Sequence, residues 1–388
     1  MGLLRRLRRR SPRTRQYPVT LHAQSQPARG RVLFSYLEYP LLWSEDDERF
    51  SGHTNNWESR EIARIFTSLG YVVDAISWSD QQFVPTNQYD VLFDIAINLQ
   101  RLAPLLDRHT FKILHRTGSA AYYQNRAEME RVKALESRRK VLYSPKRLLA
   151  YPDLEWKSMQ IADACSLLGS SYTLHTYPEE FRHKIQLVTV SASKIGSSVK
   201  AEQDYVPTKR EFLWFFGGGA VHKGLDLLLE VFARCRNYTL NIVGNPDSER
   251  DFLKIYAHEL TELPNIKLHG YLKPDSARFK EIAKDVFCFI APSCSEGVSP
   301  AVVTCMQIGL YPIISYDTGV SLPAGCGIYL ETCSIEEIES AVLDAYQMSN
   351  ANLVAHISQT QRYALSQFSR EKFRDGMENF IVKAIAKN

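Results

Sequence analysis

No stretch of this chain stays apolar for the roughly 18 residues that a membrane-spanning helix needs, which excludes a helical membrane domain. No Cys-x-x-Cys occurs either. The seven cysteines, Cys165, Cys235, Cys288, Cys294, Cys305, Cys326 and Cys333, are odd in number and sit mostly in apolar stretches. That usage fits free thiols acting as small hydrophobes in a reducing cytosol, with neither a disulfide framework nor structural zinc. No metal site is expected: Cys/His ligand spacing is missing, and the acidic run Glu45, Asp46, Asp47, Glu48 holds no Asp-x-Asp and reads as a solvated loop. The body of the chain has no basic stripe interleaved with aromatics, so nucleic acid is not an expected partner.

Positive charge is plentiful in one place only. The formal balance is +4, but seven of the 47 Lys and Arg fall in residues 1–17, which hold no acid. The rest of the chain sets 40 basic residues against 43 acidic ones, a balance of −3. Residues 1–28 lack the apolar core of a secretory signal and are expected to form a disordered basic tail. Weak docking to anionic membrane lipid is the sharper alternative, since clustered Arg add about 1 kcal/mol each near such a surface. The protein is expected in the cytoplasm, and on that alternative at the inner face of the membrane.

A length of 388 residues predicts two domains. After the tail, apolar strands are expected at 31–39, 71–78, 89–96 and 111–116, with a helix over 57–69 whose Ile62, Ile65, Phe66 and Leu69 share one face. A charged segment, 125–146, reads as helix and then loop, and 160–169 as helix and strand. The second half alternates more cleanly. Strands are expected at 212–216, 238–243, 266–270, 287–291 and 311–315, and helices at 222–235, 248–263, 274–284 and 299–309. This is the α/β pattern of doubly wound, Rossmann-like domains. The division expected is 29–205, 206–368, and a terminal helix within 369–388 that follows Ser369 as N-cap, with Phe373, Met377, Phe380, Ile381 and Ala384 on one stripe.

Two stretches carry chemistry. Gly217, Gly218 and Gly219 follow a strand and lead to Lys223 at the expected start of a helix. Glycines let backbone amides approach an anion, and a Lys at the positive end of a helix suggests a negative ligand. The Gly-x4-Gly-Lys-Ser/Thr spacing of a P-loop is absent. Glu296, Gly297 and Val298 follow the 287–291 strand and precede a helix with Pro300 near its first turn. Crevices at the carboxyl ends of parallel strands bind ligands, so Glu296 is a candidate acceptor of sugar hydroxyls, or else a loop acid supporting the helix dipole. In the first half, Gly52, His53 and Asn55 lie on the loop before the first helix. His53 is a candidate phosphate contact, with capping of that helix by Thr54 or Asn55 as the alternative. His115 with Thr117 follows a later strand.

From 212 to 319 the chain resembles glycosyltransferase family 4, of the GT-B fold. The resemblance rests on Lys223-Gly224 after the Gly-rich turn, Val243-Gly244, Leu268-His269-Gly270-Tyr271, Ser295-Glu296-Gly297 through Met306, and 309–315. It implies two Rossmann-like domains facing a cleft. It also implies transfer of a sugar from a nucleotide diphospho-sugar, as co-substrate without a cofactor, to a glycan or lipid-linked acceptor, with retention. The implied donor site comprises Gly217, Gly218, Gly219, Lys223, Gly244, Tyr271, Glu296, Gly297, Val298 and Thr304. The acceptor side comprises Gly52, His53, Asn55 and Thr117, and the catalytic candidates are Glu296, His115 and His53. Two departures stand out. The family carries an Arg where this chain has Gly218, and a second Glu where it has Thr304. A weakened or degenerate GT-B protein and a nucleotide-sugar epimerase are the alternatives.

Overall fold

The computed structural model describes residues 17–192, 199–207, 209–246 and 249–386. The first half builds a seven-stranded sheet from β1 (Val19–Leu21), β2 (Gly30–Tyr36), β3 (Tyr71–Ser77), β4 (Val91–Asp94), β5 (Phe111–Arg116), β6 (Ala164–Leu168) and β7 (Ile185–Val188). Their order is β1-β3-β2-β4-β5-β6-β7, parallel throughout except that β1 runs antiparallel along β3. The second half builds a six-stranded sheet from β8 (Glu211–Phe216), β9 (Leu240–Gly244), β10 (Ile266–Gly270), β11 (Val286–Ala291), β12 (Tyr311–Ser315) and β13 (Ile328–Leu330). Its order is β10-β9-β8-β11-β12-β13, all parallel.

The strands are apolar on both faces because helices cover both faces. Val32, Phe34, Val91, Phe93 and Ile113 pack into one core, and the intervening Leu33, Leu92 and Leu114 into a second. Six helices bear on the site: α1 (Thr54–Ser68), α2 (Ala121–Arg139), α3 (Leu225–Arg234), α4 (Pro300–Gln307), α5 (Asn350–Gln367) and α6 (Arg370–Ile385). The chain reverses its winding between β8 and β11, which sets the turn after β8 beside the loop after β11.

The last helix returns to the first sheet. Ser369 accepts a hydrogen bond from the Lys372 amide as N-cap, and the expected stripe of Phe373, Met377, Phe380, Ile381 and Ala384 is buried. Phe373 meets Trp57 of α1 edge-on at 5.8 Å, and Arg374 pairs with Glu61.

Three expectations need correction. The Arg-rich segment lies, up to residue 16, outside the described residues, but Tyr17 onward is not tail: Val19–Leu21 pairs with β3. The helix expected from 222 starts at Leu225, because Gly224 sits at φ +71° and breaks it. The helix expected over 248–263 is two, Arg250–Ile255 and Ala257–Thr261. Between them Tyr256 leaves helical geometry, and its buried ring sends its hydroxyl to Glu230.

Phe373→Ala should cost about 3–5 kcal/mol, the range for emptying a fully packed aromatic site, read as a lower midpoint in urea unfolding. A second prediction concerns Glu58 on α1. Its carboxylate is buried and accepts from the Ser191 amide and hydroxyl at 2.9 and 2.8 Å. Burial, only partly offset by these bonds and by Arg370, pushes its pKa up to about 7. The native state therefore prefers the protonated acid. Its stabilising contribution is complete below the ordinary carboxyl range and is lost as pH rises towards 7. Glu58→Gln should flatten this loss, gaining up to about 3 kcal/mol on the wild type between pH 4.5 and 8. Parallel stability curves for the two proteins would refute the assignment.

Candidate active site

The turn after β8 and the loop after β11 meet at a buried ion pair. Lys223, 5% exposed, extends its ammonium to the carboxylate of Glu296, and Ser293 donates to the same carboxylate oxygen at 3.1 Å. Burial draws the Lys223 pKa down, Glu296 works against that, and the positive charge of Arg147 adds to the fall. The first half of the chain closes over this pair. Ser119 donates its hydroxyl to the Glu296 carbonyl at 2.5 Å. A pocket of about 410 Å³ lies between the two halves, its walls formed by Trp78, Arg116, Thr117, Gly118, Lys146 and Arg147 on one side and by Ser295, Glu296 and Gly297 on the other.

Helix α2 follows a strand of the first sheet yet is built against the second. Glu128 meets His222 Nδ1 at 2.6 Å, and His222 Nε2 faces the Ser295 carbonyl at 2.6 Å. Arg131 donates to the Pro292 carbonyl at 3.0 Å, Tyr123 to Asp317 at 2.6 Å, and Arg138 to Asp226 at 2.6 Å. Cys294 Sγ lies 3.6 Å from His222 Nδ1, so Glu128, His222 and Cys294 bring three potential ligand atoms within 4.8 Å of one another. Sequence reading did not foresee this cluster, because Glu128 is distant in the chain. Burial pushes the Cys294 thiol up to about 12, so as it stands it is a protonated thiol within a hydrogen-bonded network.

The Gly-rich turn is partly occupied by the protein itself. The amides of Gly219 and Ala220 donate to Glu249 Oε1 at 2.6 and 3.1 Å, and Tyr143 donates to the other carboxylate oxygen at 2.9 Å. Gly217 and Gly218 face open space. Of the amides expected to meet phosphate, Gly219 is thus already paired with a carboxylate.

The remaining candidates divide. Thr117 borders the pocket. Gly297 does not leave room for a ligand on its Cα: a Cβ there would lie 2.6 Å from the carbonyls of Leu168 and Thr117, so the glycine permits the two halves to touch. Val298 and Thr304 are buried on the loop and on α4. Gly244 is glycine because the Phe216 carbonyl and the Trp214 ring crowd it. Tyr271 is 56% exposed and does not border this pocket.

Gly52 is exposed on its loop, and His53 is the N-cap residue of α1 without a side-chain cap, so neither Thr54 nor Asn55 caps the helix. Desolvation and then Arg147 lower the His53 pKa, while a hydrogen bond with Asn55 raises it. His53 thus lies within electrostatic reach of the cleft. His115 does not reach it. It is fully buried, bonded through Nδ1 to Ser166 at 2.8 Å and stacked on Phe93, and burial drives its pKa to about 3. Its expected catalytic place is a neutral core position on β5.

Sequence reading missed Arg116, Lys146, Arg147 and Glu249, which distant segments bring to the site. Among the described residues no helix is long and apolar enough to cross a membrane.

Residues 210–348 match the model of a family described as glycosyl transferases group 1. Solved structures share the fold across both halves of the chain. Sucrose-phosphate synthase from Thermosynechococcus elongatus superposes with a TM-score of 0.64 at 11% identity, covering 93% of this chain and 100% of that one. HepE of Anabaena, in complex with UDP-glucose, gives 0.60 at 12% identity over 91% and 100%. WaaG, a glycosyltransferase involved in lipopolysaccharide biosynthesis, gives 0.55 at 12% identity over 90% and 99%. No curated protein sequence matches the chain. The match over the second half and the likeness over both halves agree: residues 210–348 resemble the group 1 glycosyltransferases, and the chain has the GT-B fold.

Proposed function

We propose that this protein transfers a sugar from a nucleoside diphospho-sugar to a glycan or lipid-linked acceptor, with retention at the anomeric carbon. The observation that carries the reading is the buried Lys223–Glu296 pair at the wall of a cleft between two Rossmann-like sheets. Lys223 is the cation for the diphosphate, beside the open Gly217 and Gly218. Glu296 accepts hydroxyls of the transferred sugar. Charge-assisted bonds of that kind lower the barrier if they tighten as positive charge grows on the sugar ring. The acceptor enters from the side of Thr117 and His53. The departing phosphate takes the acceptor proton, so the protein contributes position and charge stabilisation. HepE was solved with UDP-glucose, which supports a nucleotide-sugar donor here. The Arg-rich residues 1–16 are proposed to hold the enzyme at anionic lipid on the cytoplasmic face.

One observation favours a second reading, a protein that binds donor but turns over poorly. Glu249 already neutralises two amides of the Gly-rich turn. A thermal-shift panel of nucleoside diphosphates, followed by donor turnover, separates the readings: a ligand at 100 times its Kd adds about 2.7 kcal/mol. Binding with turnover supports transfer, binding without it supports the second reading, and no binding defeats both.

Glu296→Gln should cut kcat by about tenfold or more while changing nucleoside diphosphate affinity less, because the diphosphate alone lacks the sugar. Lost nucleotide affinity with kcat preserved would move Glu296 to the nucleotide. Gly218→Arg meets no atom within 4 Å of its new Cβ. It should tighten nucleoside diphosphate binding about tenfold, as one charge-assisted contact would. Unchanged affinity would show that the diphosphate does not pass this turn.

A further inference from the structure

A diphosphate is strongly anionic, and the second half of the chain offers it little net positive charge. Lys223 is outnumbered by Glu296, which holds its ammonium, and by Glu249, which fills the amides behind it. Position 218 adds no side chain. The cations of the pocket come instead from the first half, and two of the three are already engaged. Arg116 pairs with Glu155, and Lys146 with Asp251 at 2.5 Å.

Arg147 is different. Among the described residues no carboxylate lies within ion-pair distance of it. Its backbone is nevertheless fixed: its amide donates to Glu128 Oε1 at 3.1 Å, and its carbonyl accepts from Gln124 Nε2 at 2.6 Å. Its side chain runs over the Gly-rich turn. A Cβ on Gly219 would lie 2.9 Å from Arg147 Cγ and 3.1 Å from Cδ, so Gly219 is the residue that lets the stem pass. Its guanidinium is close enough to act on Lys223 and on His53, and it lowers the pKa of both. Two like charges held at one cleft, one of them unpaired, repel until an anion sits between them.

We propose that Arg147, from the first sheet's side of the cleft, supplies the guanidinium that clamps the donor diphosphate opposite Lys223. This deepens the donor reading above and rests on it. A guanidinium presents a planar fork that grips phosphate oxygens in pairs, which a lone ammonium cannot do. It makes the diphosphate a bridge between the two halves, so binding it favours the closed arrangement.

Calorimetry on the full chain tests this with ADP, CDP, GDP, TDP and UDP, and with the nucleoside of whichever binds best. Arg147→Ala should weaken that diphosphate about tenfold or more and leave the nucleoside unchanged. Arg147→Lys should recover part of the loss, and Arg147→Ala with Gly218→Arg should recover more. Wild-type diphosphate affinity in Arg147→Ala overturns the assignment while the donor reading stands. Equal losses for diphosphate and nucleoside also overturn it, because they mark a general disturbance of the cleft. If the wild-type chain binds none of the five, the donor reading fails and this assignment fails with it.

Discussion

The architecture of the site depends on one imidazole. His222 is clamped between Glu128 of α2 and the carbonyl of Ser295. The three segments so joined are the helix that crosses from the first sheet, the turn that presents Lys223, and the loop that presents Glu296. Loss of either bond would leave a buried polar group unsatisfied, a cost of about 1–3 kcal/mol. That penalty holds the turn and the loop in one register and brings Lys223 and Glu296 together.

Around this clamp the cleft is a balance of charges that belong to different parts of the chain. Glu249 comes from the segment after β9 and Arg147 from the loop after α2, while Lys223 and Glu296 come from the winding reversal between β8 and β11. A buried pair such as Lys223–Glu296 is costly to strip of one partner, by about 3–5 kcal/mol, because the charge left behind is buried and unpaired. On the donor reading proposed above, a phosphate would offer Lys223 a new partner and sugar hydroxyls would offer one to Glu296, so the resting pair would stand in for the bound state.

The sheets were legible from local signals. The strand Tyr311–Ser315 and the stripe of α6 follow directly from runs and spacings that tertiary packing reinforces. The Gly-rich turn and the Ser295-Glu296-Gly297 loop were legible as well, because glycine and helix-start chemistry leave a local trace. The rest of the site was not. Whether Gly297 makes room for a ligand or for the Thr117 carbonyl is decided by a segment 180 residues away. His115 looked available because it ends a strand. Yet it shares its face with Ile113, and β4 places Phe93 against it. The amides of Gly219 and Ala220 looked free because nothing local marks Glu249 as their partner.

The return of α6 imposes an order on biosynthesis. Trp57 and the outer side of β7 are covered by residues of the last sixteen-residue helix. Until that helix leaves the ribosome, the first sheet carries an uncovered apolar strip, although its own strands have long been available. Maturation of the amino-terminal half therefore waits for α6. A polypeptide lacking that helix would display the strip permanently, as a sticky surface open to chaperones and to other unfinished chains.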